Sequence, residues 1–267
     1  MINFPNAKIN IGLNIIARRP DGYHNLETIF YPIKINDVLE VIKSDELTFE
    51  ASGLGIPGKV EDNLCIKAYH LMKQDHDLSP VNIHLHKHIP IGAGLGGGSA
   101  DAGYFIRLIN QAFDLRLSTG DMRHYARSLG ADCAFFIESV PVFAFDKGDQ
   151  FEDVELDLSK YYLALVMPPT HVSTAEAYRG VKPAPVTRSL KDLIKLPVAE
   201  WRNHIKNDFE EHIFKAHPQI RGVKAALYQS GAVYASMSGS GASVFGIFDK
   251  KPDLRFMEEE NQVFYNV

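Results

Sequence analysis

Residues Pro90–Gly103 read PIGAGLGGGSADAG, with glycines at 92, 94, 96, 97 and 98. Glycine lets a backbone take positive φ and approach a ligand closely. The preceding segment, Val81–Ile89 (VNIHLHKHI), alternates strictly, which is the period of a half-buried strand. Ser99 then opens a segment that reads as a helix to Ala112. The free N–H groups and positive dipole end of such a helix favour an anion. Strand, glycine run and helix start together predict a phosphate site, where one or two glycines would fit a plain turn.

Several phosphate-binding motifs share this physics, and the neighbouring residues separate them. A P-loop needs Gly-Lys-Ser/Thr after the run, and here the order is Gly-Gly-Ser. A dinucleotide loop would match at Gly92, Gly94 and Gly97, but its strand is usually apolar on both faces. This strand carries His84, His86 and His88 on one face. A protein-kinase loop would require His-Arg-Asp and Asp-Phe-Gly, and neither occurs. No carboxylate or cysteine lies close enough in sequence to complete a metal site with the histidines, so they read as a polar strand face and no metal is assigned.

Working outward, residues 7–16, 37–43 and 46–51 read as strands, and Asn63–Lys73 as a helix capped by Asp62 or Asn63. A helix spans about 121–129, stopped by Gly130. Strands are expected at 143–145 and 161–167. Ser173 and Glu176 form a capping-box pattern opening a short helix that contains Tyr178. Residues 181–189 form a Pro-rich loop, helices are expected over 198–214 and 218–230, and the end reads strand, glycine loop, strand. This mixture predicts an α+β chain of two domains, 1–155 and 156–267, with the boundary in a polar stretch before Tyr161.

The chain has 267 residues, 16 Phe, 11 Tyr and a net charge of -5. That charge argues against general nucleic-acid binding. Cys65 and Cys133 lie in no metal-ligand spacing and read as free thiols of a reduced, cytoplasmic protein. The start lacks the pattern of a signal peptide, and no apolar run reaches the ~18 residues of a membrane helix. A homodimer is compatible with the sequence.

The glycine run resembles the second motif of the GHMP kinases. Two further blocks agree in order: AKINIGLNI (7–15) and SMSGSGASVFGIF (236–248). RRPDGYHNLETIF (18–30) and LGADCAFFI (129–137) resemble signatures of one branch, the 4-diphosphocytidyl-2-C-methyl-D-erythritol kinases, although that branch usually has Val-Pro at Cys133 and Ala134. The resemblance covers nearly the whole chain. It implies an N-terminal ribosomal-protein-S5-domain-2-like domain, a C-terminal ferredoxin-like domain and an active site in the cleft between them.

The resemblance also implies roles. Pro90, Gly92, Gly94, Leu95, Gly96, Gly97, Gly98 and Ser99 would cradle ATP, Lys87 would lie near adenine, and Gly239, Ser240 and Gly241 would close over the nucleotide. Asp132 would be the base, alternatively a helix cap after Gly130. Lys8, unusual among apolar neighbours, would be the cation beside it. Asn10, on the same strand face as Lys8, could bond the acceptor alcohol. Tyr23 and His24 would recognise cytosine, with Tyr178 on its other face. Tyr178 reads equally well as core and Lys87 as a surface lysine. ATP with Mg2+ is the expected cofactor, and a small molecule with a cytidine diphosphate moiety the expected partner. The alternatives are a mevalonate- or homoserine-type GHMP kinase and a non-catalytic nucleotide sensor.

Overall fold

The computed structural model describes residues 1–267. The chain forms two compact units. One comprises 1–8, 34–91 and 96–140; the other comprises 9–33, 92–95 and 141–267. A single cut at 155/156 therefore does not describe these units. The chain changes unit within its second strand, and residues 92–95 of the glycine run belong to the second unit.

In chain order the strands are Ile2–Asn3 (β1), Asn6–Arg18 (β2), His24–Asn36 (β3), Val38–Lys43 (β4), Thr48–Gly53 (β5), Val81–Lys87 (β6), Val142–Asp146 (β7), Gln150–Asp153 (β8), Tyr162–Met167 (β9), Tyr234–Met237 (β10), Val244–Phe248 (β11) and Gln262–Tyr265 (β12). The helices are Leu64–Lys73 (α1), Gly97–Ala112 (α2), Thr119–Leu129 (α3), Thr174–Arg179 (α4), Leu190–Leu193 (α5), Val198–His204 (α6), Glu210–Ala216 (α7) and Pro218–Gln229 (α8).

In the first unit the sheet order is β1-β4-β6-β5, with β4 antiparallel and β5 parallel to β6. Alternation along β6 buries Val81, Ile83 and Leu85 and exposes His84 and His86. The Ser52 hydroxyl lies 3.3 Å from His84 Nε2 and 3.0 Å from His86 Nδ1, which keeps this polar face on the β5 side of the ladder. Helices α1, α2 and α3 pack on one another and α2 on β4. The cap expected at Asn63 forms, its side chain accepting from Cys65 N–H, and at the start of α3 Ser118 and Asp121 make a reciprocal capping box. Both cysteines are buried and free, and burial pushes the Cys133 thiol up to about 12, so neither is a ready nucleophile.

In the second unit one sheet runs β10-β11-β9-β12 and another β2-β3-β7-β8, β2 entering from the first unit. Leu13, Ile15, Val166, Ile213, Leu227 and Val244 share its core. Several expectations fail here. Strand β3 was not predicted, because residues 26–30 are buried in succession and Pro32 interrupts the alternation. Strand β8 occupies part of the polar stretch read as a boundary. The single helix over 198–214 is two helices. Ile205 is extended, Leu13 N–H donates to Lys206 O and Asp208 N–H to Leu13 O, so the intervening segment pairs with β2 rather than with its own helix. No helix is long and apolar enough to cross a membrane.

Candidate active site

Strand β2 buries its residues from Ala7 to Ile15, and Lys8 lies among them with 3 % exposure. Its Nζ is 3.4 Å from Asp132 Oδ2. Asp132 lies in a 3-10 turn, Ala131–Ile137, that follows Gly130 and has no side-chain cap. The cap reading of Asp132 therefore falls, since its carboxylate points to Lys8 instead. Gly96, at φ 71°, immediately precedes α2, and a Cβ there would meet the Phe136 ring at 3.0 Å and Lys8 Cε at 3.2 Å. Only glycine fits that left-handed residue over the lysine stem.

Helix α2 begins at Gly97, two residues before Ser99, and no side chain caps its first turn. An uncapped first turn has N–H groups to offer a ligand. A Cβ on Gly97 would press on Ile89 and the Lys87 ammonium, whereas a Cβ on Gly98 would meet open space. Gly98 is exposed, Ser99 half-buried, and Pro90 and Leu95 are buried under the turn.

Lys87 is not a surface lysine. It is 3 % exposed, on the face of β6 opposite the histidines. Its Nζ pairs with Asp37 and lies 2.7 Å from Asp101 Oδ2. Burial opposes the ammonium, but Asp101 and Asp37 outweigh it and Lys87 is raised overall. Burial raises Asp101, and the nearby Asp37 adds to that rise. Asp37 also accepts from the N–H groups of His88 and Ile89, at 2.6 and 2.8 Å. The Lys87 side chain thus braces the approach to the glycine turn from within. Its backbone carbonyl accepts from Leu54 N–H at 2.8 Å. Leu54 and Gly53 belong to a cavity of about 250 Å³ lined also by Phe49, Ile56, Val60 and Asn63.

In the second unit residues 92–95 lie against the C-terminal glycine loop. Ser238 Oγ donates to Gly94 O at 2.9 Å, and a Cβ on Gly94 would lie 2.1 Å from Ser238 O. Gly239 and Gly241 are buried and Ser240 is half-buried. Asn10 is 3 % exposed; its N–H donates to Ser238 Oγ at 3.2 Å and its amide to Thr28 Oγ1 at 3.0 Å. Asn10 thus frames this loop.

The DGYH turn is organised by Arg19. Arg19 N–H donates to Tyr23 O, and its guanidinium reaches Asp21, Asn25 and Asp146. Tyr23 is 63 % exposed, with Lys147 Nζ 5.5 Å from its ring centre. His24 and Tyr178 stack directly, centroids 4.8 Å apart, and Tyr178 meets Phe209 edge-on at 4.9 Å. A base cannot lie between rings so close; the expected sandwich requires the pair to part. Burial, and then Arg18, lower the His24 pKa, which favours a neutral imidazole.

The chain matches the GHMP kinases N terminal domain over residues 63–139 and the GHMP kinases C terminal domain over 189–266. It is 52 % identical to 4-diphosphocytidyl-2-C-methyl-D-erythritol kinase of Parabacteroides distasonis, over 94 % of this chain and 92 % of that one. The chain belongs to the GHMP kinase family. A crystal structure of 4-(cytidine 5'-diphospho)-2C-methyl-D-erythritol kinase superposes with a TM-score of 0.82 at 28 % identity, covering 99 % of this chain and 98 % of that one. A homoserine kinase from Cytophaga hutchinsonii superposes at 0.65 with 18 % identity, covering 98 % of this chain and 94 % of that one, which shows the shared fold alone.

Within this GHMP kinase, Lys87, the glycine run and Asp132 fall inside the N-terminal match, and Gly239–Gly241 inside the C-terminal one. Lys8, Asn10, Tyr23, His24 and Tyr178 lie outside both matches. Sequence reading missed Asp37 and Asp101, whose carboxylates pair with Lys87, and Asn207, whose amide donates to Met237 O and Gly239 O. It also missed Glu27, buried at 3 %, which accepts from Asn14, Ser189 and Leu190 N–H. The available signal was polar residues inside apolar runs: Asp101 in an apolar helix face, and Asn207-Asp208-Phe209-Glu210 within a supposed helix.

Proposed function

We propose that this chain transfers the γ-phosphoryl group of ATP to the 2-hydroxyl of 4-diphosphocytidyl-2-C-methyl-D-erythritol, a step of non-mevalonate isoprenoid precursor synthesis, in the cytoplasm. The observation that carries the reading is the Lys8–Asp132 pair beside the uncapped start of α2. It occurs in a chain half identical, along nearly its full length, to a kinase of that name.

Phosphoryl transfer asks a protein mainly for positioning and charge stabilisation. The turn Gly96–Ser99 offers backbone N–H groups to the ATP phosphates, and adenine occupies the cavity lined by Phe49, Leu54, Val60 and Asn63 beside the Lys87 carbonyl. The acceptor oxygen attacks the γ-phosphorus, the bond to the β,γ-bridging oxygen breaks, and ADP leaves. Asp132 takes the hydroxyl proton as the new bond forms. Lys8 offsets charge on the transferring group. Mg2+ bound with ATP would neutralise phosphate charge and needs only one or two protein oxygens. Tyr23 offers its exposed ring to cytosine, and His24 and Tyr178 part to admit it.

The experiment is phosphorus NMR of the product. A new phosphomonoester signal coupled to the 2-position, with the diphosphate signals retained and ADP formed in equal amount, is the expected result. ADP formed without a phosphorylated acceptor would overturn the reading. A mevalonate- or homoserine-type activity is not favoured, because the homoserine kinase is similar only at the level of fold. A non-catalytic sensor would have no use for a buried lysine paired to a half-open carboxylate.

A further inference from the structure

Asn207 lies in residues 205–209, which separate α6 from α7 and have no part in the reaction as described above. Its side chain is buried, with 2 % exposed. Nδ2 donates to Met237 O at 2.9 Å and to Gly239 O at 2.8 Å, and Oδ1 accepts from Phe209 N–H at 3.0 Å. An asparagine amide has two N–H donors and one oxygen, and here each is engaged. Asn207 is itself fixed, because its backbone is bridged to Leu13 of β2.

The two carbonyls it holds lie on either side of Ser238, at the entry to the glycine loop. A trans peptide is planar, with C=O and the following N–H pointing in opposite directions. Holding Met237 O toward Asn207 therefore turns Ser238 N–H away, and that N–H donates to Ser243 O at 2.9 Å. Holding Gly239 O toward Asn207 turns Ser240 N–H away in the same manner. Ser240 is the half-buried residue of the turn, flanked by two buried glycines.

We propose that Asn207 is a positioning residue for nucleotide binding: by fixing the Gly239 carbonyl it aims the Ser240 N–H at a phosphate oxygen of ATP. This rests on reading Gly239–Gly241 as a nucleotide contact. Glu210, three residues on, provides a contrast. It accepts from Met237 N–H at 2.8 Å and Ser236 Oγ at 3.2 Å and pairs with Lys224 at 2.6 Å, so it holds the strand before the turn and not the turn.

The test variant is Asn207→Asp, which keeps the shape and the acceptor for Phe209 N–H. Its second oxygen then faces two carbonyls. Burial and those carbonyls raise the new carboxyl's pKa, and only its protonated form can donate to one of them. The sign follows: the clip is partly restored at low pH and lost as pH rises through the raised value. We expect kcat/KM for ATP, relative to the unaltered enzyme and well below the melting temperature, to fall at least about tenfold between pH 5.5 and pH 8.5. The KM for the acceptor should change less than threefold. Glu210→Gln should lower the melting temperature yet keep kcat/KM for ATP within about threefold. If Asn207→Asp does not fold at pH 8.5, the uncharged Asn207→Ser takes its place, with a raised KM for ATP expected at every pH.

Hydrogen exchange separates the two layers of the inference. A non-hydrolysable ATP analogue should slow exchange in the peptide spanning 236–245 of the unaltered enzyme, and slow it less in Asn207→Asp. No slowing in the unaltered enzyme would remove the loop as a nucleotide contact, and this proposal with it. Equal slowing in both, with unchanged kcat/KM for ATP across pH, would overturn the role of Asn207 alone.

Discussion

The Lys8 ammonium lies 3.4 Å from Asp132 Oδ2, and the two side chains are 4 % and 35 % exposed. The exposed part of the pair is the carboxylate, so in the proposed reaction the alcohol would meet Asp132 and not Lys8. Asp132→Asn keeps the shape and removes the charge and the proton acceptor. No helix depends on Asp132 as a cap, so the variant should fold, with its melting temperature lowered only by loss of the pair with Lys8. Turnover should fall by ~10²–10⁴ with both KM values within a few-fold. Lys8→Met should produce a similar fall, and the double variant should lose less than the product of the two, because the pair acts as a unit. Near-normal turnover in folded Asp132→Asn would leave the transfer to positioning alone.

Gly98 tests the phosphate cradle free of packing effects. A Cβ there meets nothing, and the residue is helical, so Gly98→Ala should gain about 0.5–1 kcal/mol of stability. The added methyl still blocks close approach of a phosphate to the first turn, and the KM for ATP should rise at least about tenfold. Gly96→Val is a poorer probe, since its Cβ would displace Phe136 and the Lys8 stem. Unchanged ATP kinetics in Gly98→Ala would move the phosphates elsewhere.

Lys87→Met would leave Asp37 and Asp101 buried together without their cation. Removing one partner of a buried ion pair costs about 3–5 kcal/mol. Burial and Asp37 already raise Asp101, and loss of Lys87, whose charge lowers it, raises Asp101 further. A carboxyl whose folded pKa is raised stabilises the fold below its unfolded pKa and loses that contribution as pH rises through the folded value. The melting-temperature deficit of Lys87→Met should therefore widen from pH 5 to pH 8. A deficit independent of pH would indicate that packing, and not charge, is what Lys87 supplies.

Tyr23 is exposed and Tyr178 is packed on His24 and Phe209, so the two tyrosines differ as probes. Tyr23→Ala should leave stability unchanged and raise the acceptor KM by about 5- to 150-fold, on a stacking scale of ~1–3 kcal/mol. Tyr178→Ala should raise the same constant and also lower the melting temperature. If Tyr23→Ala shifted only the ATP constant, the ring would belong to the nucleotide side.

The glycine run, the β6 alternation and the helix caps were legible because each is a local signal: φ, a period of two, a side chain reaching its own backbone. Lys8 stood out as a charge among apolar neighbours, and the structure sets it beside Asp132. Residues whose meaning depends on distant partners were not legible. Nothing near Lys87 in sequence announces Asp37, fifty residues away, and the alternation that exposes His86 and His88 is what buries it. Asn207 was hidden in a helical pattern that pairing with Leu13 overrides. Strand β2 and the glycine run each contribute to both compact units, and composition along the chain does not record such crossings.

The most direct measurement is coupled ADP release with three acceptors under matched conditions: 4-diphosphocytidyl-2-C-methyl-D-erythritol, mevalonate and homoserine. Turnover with the cytidylyl alcohol should be at least about a hundredfold above either other acceptor, should be competed by CMP or CDP at millimolar levels, and should be lost in Asp132→Asn. Equal or greater turnover with mevalonate or homoserine, or no ADP release with the cytidylyl alcohol, would contradict the proposed function.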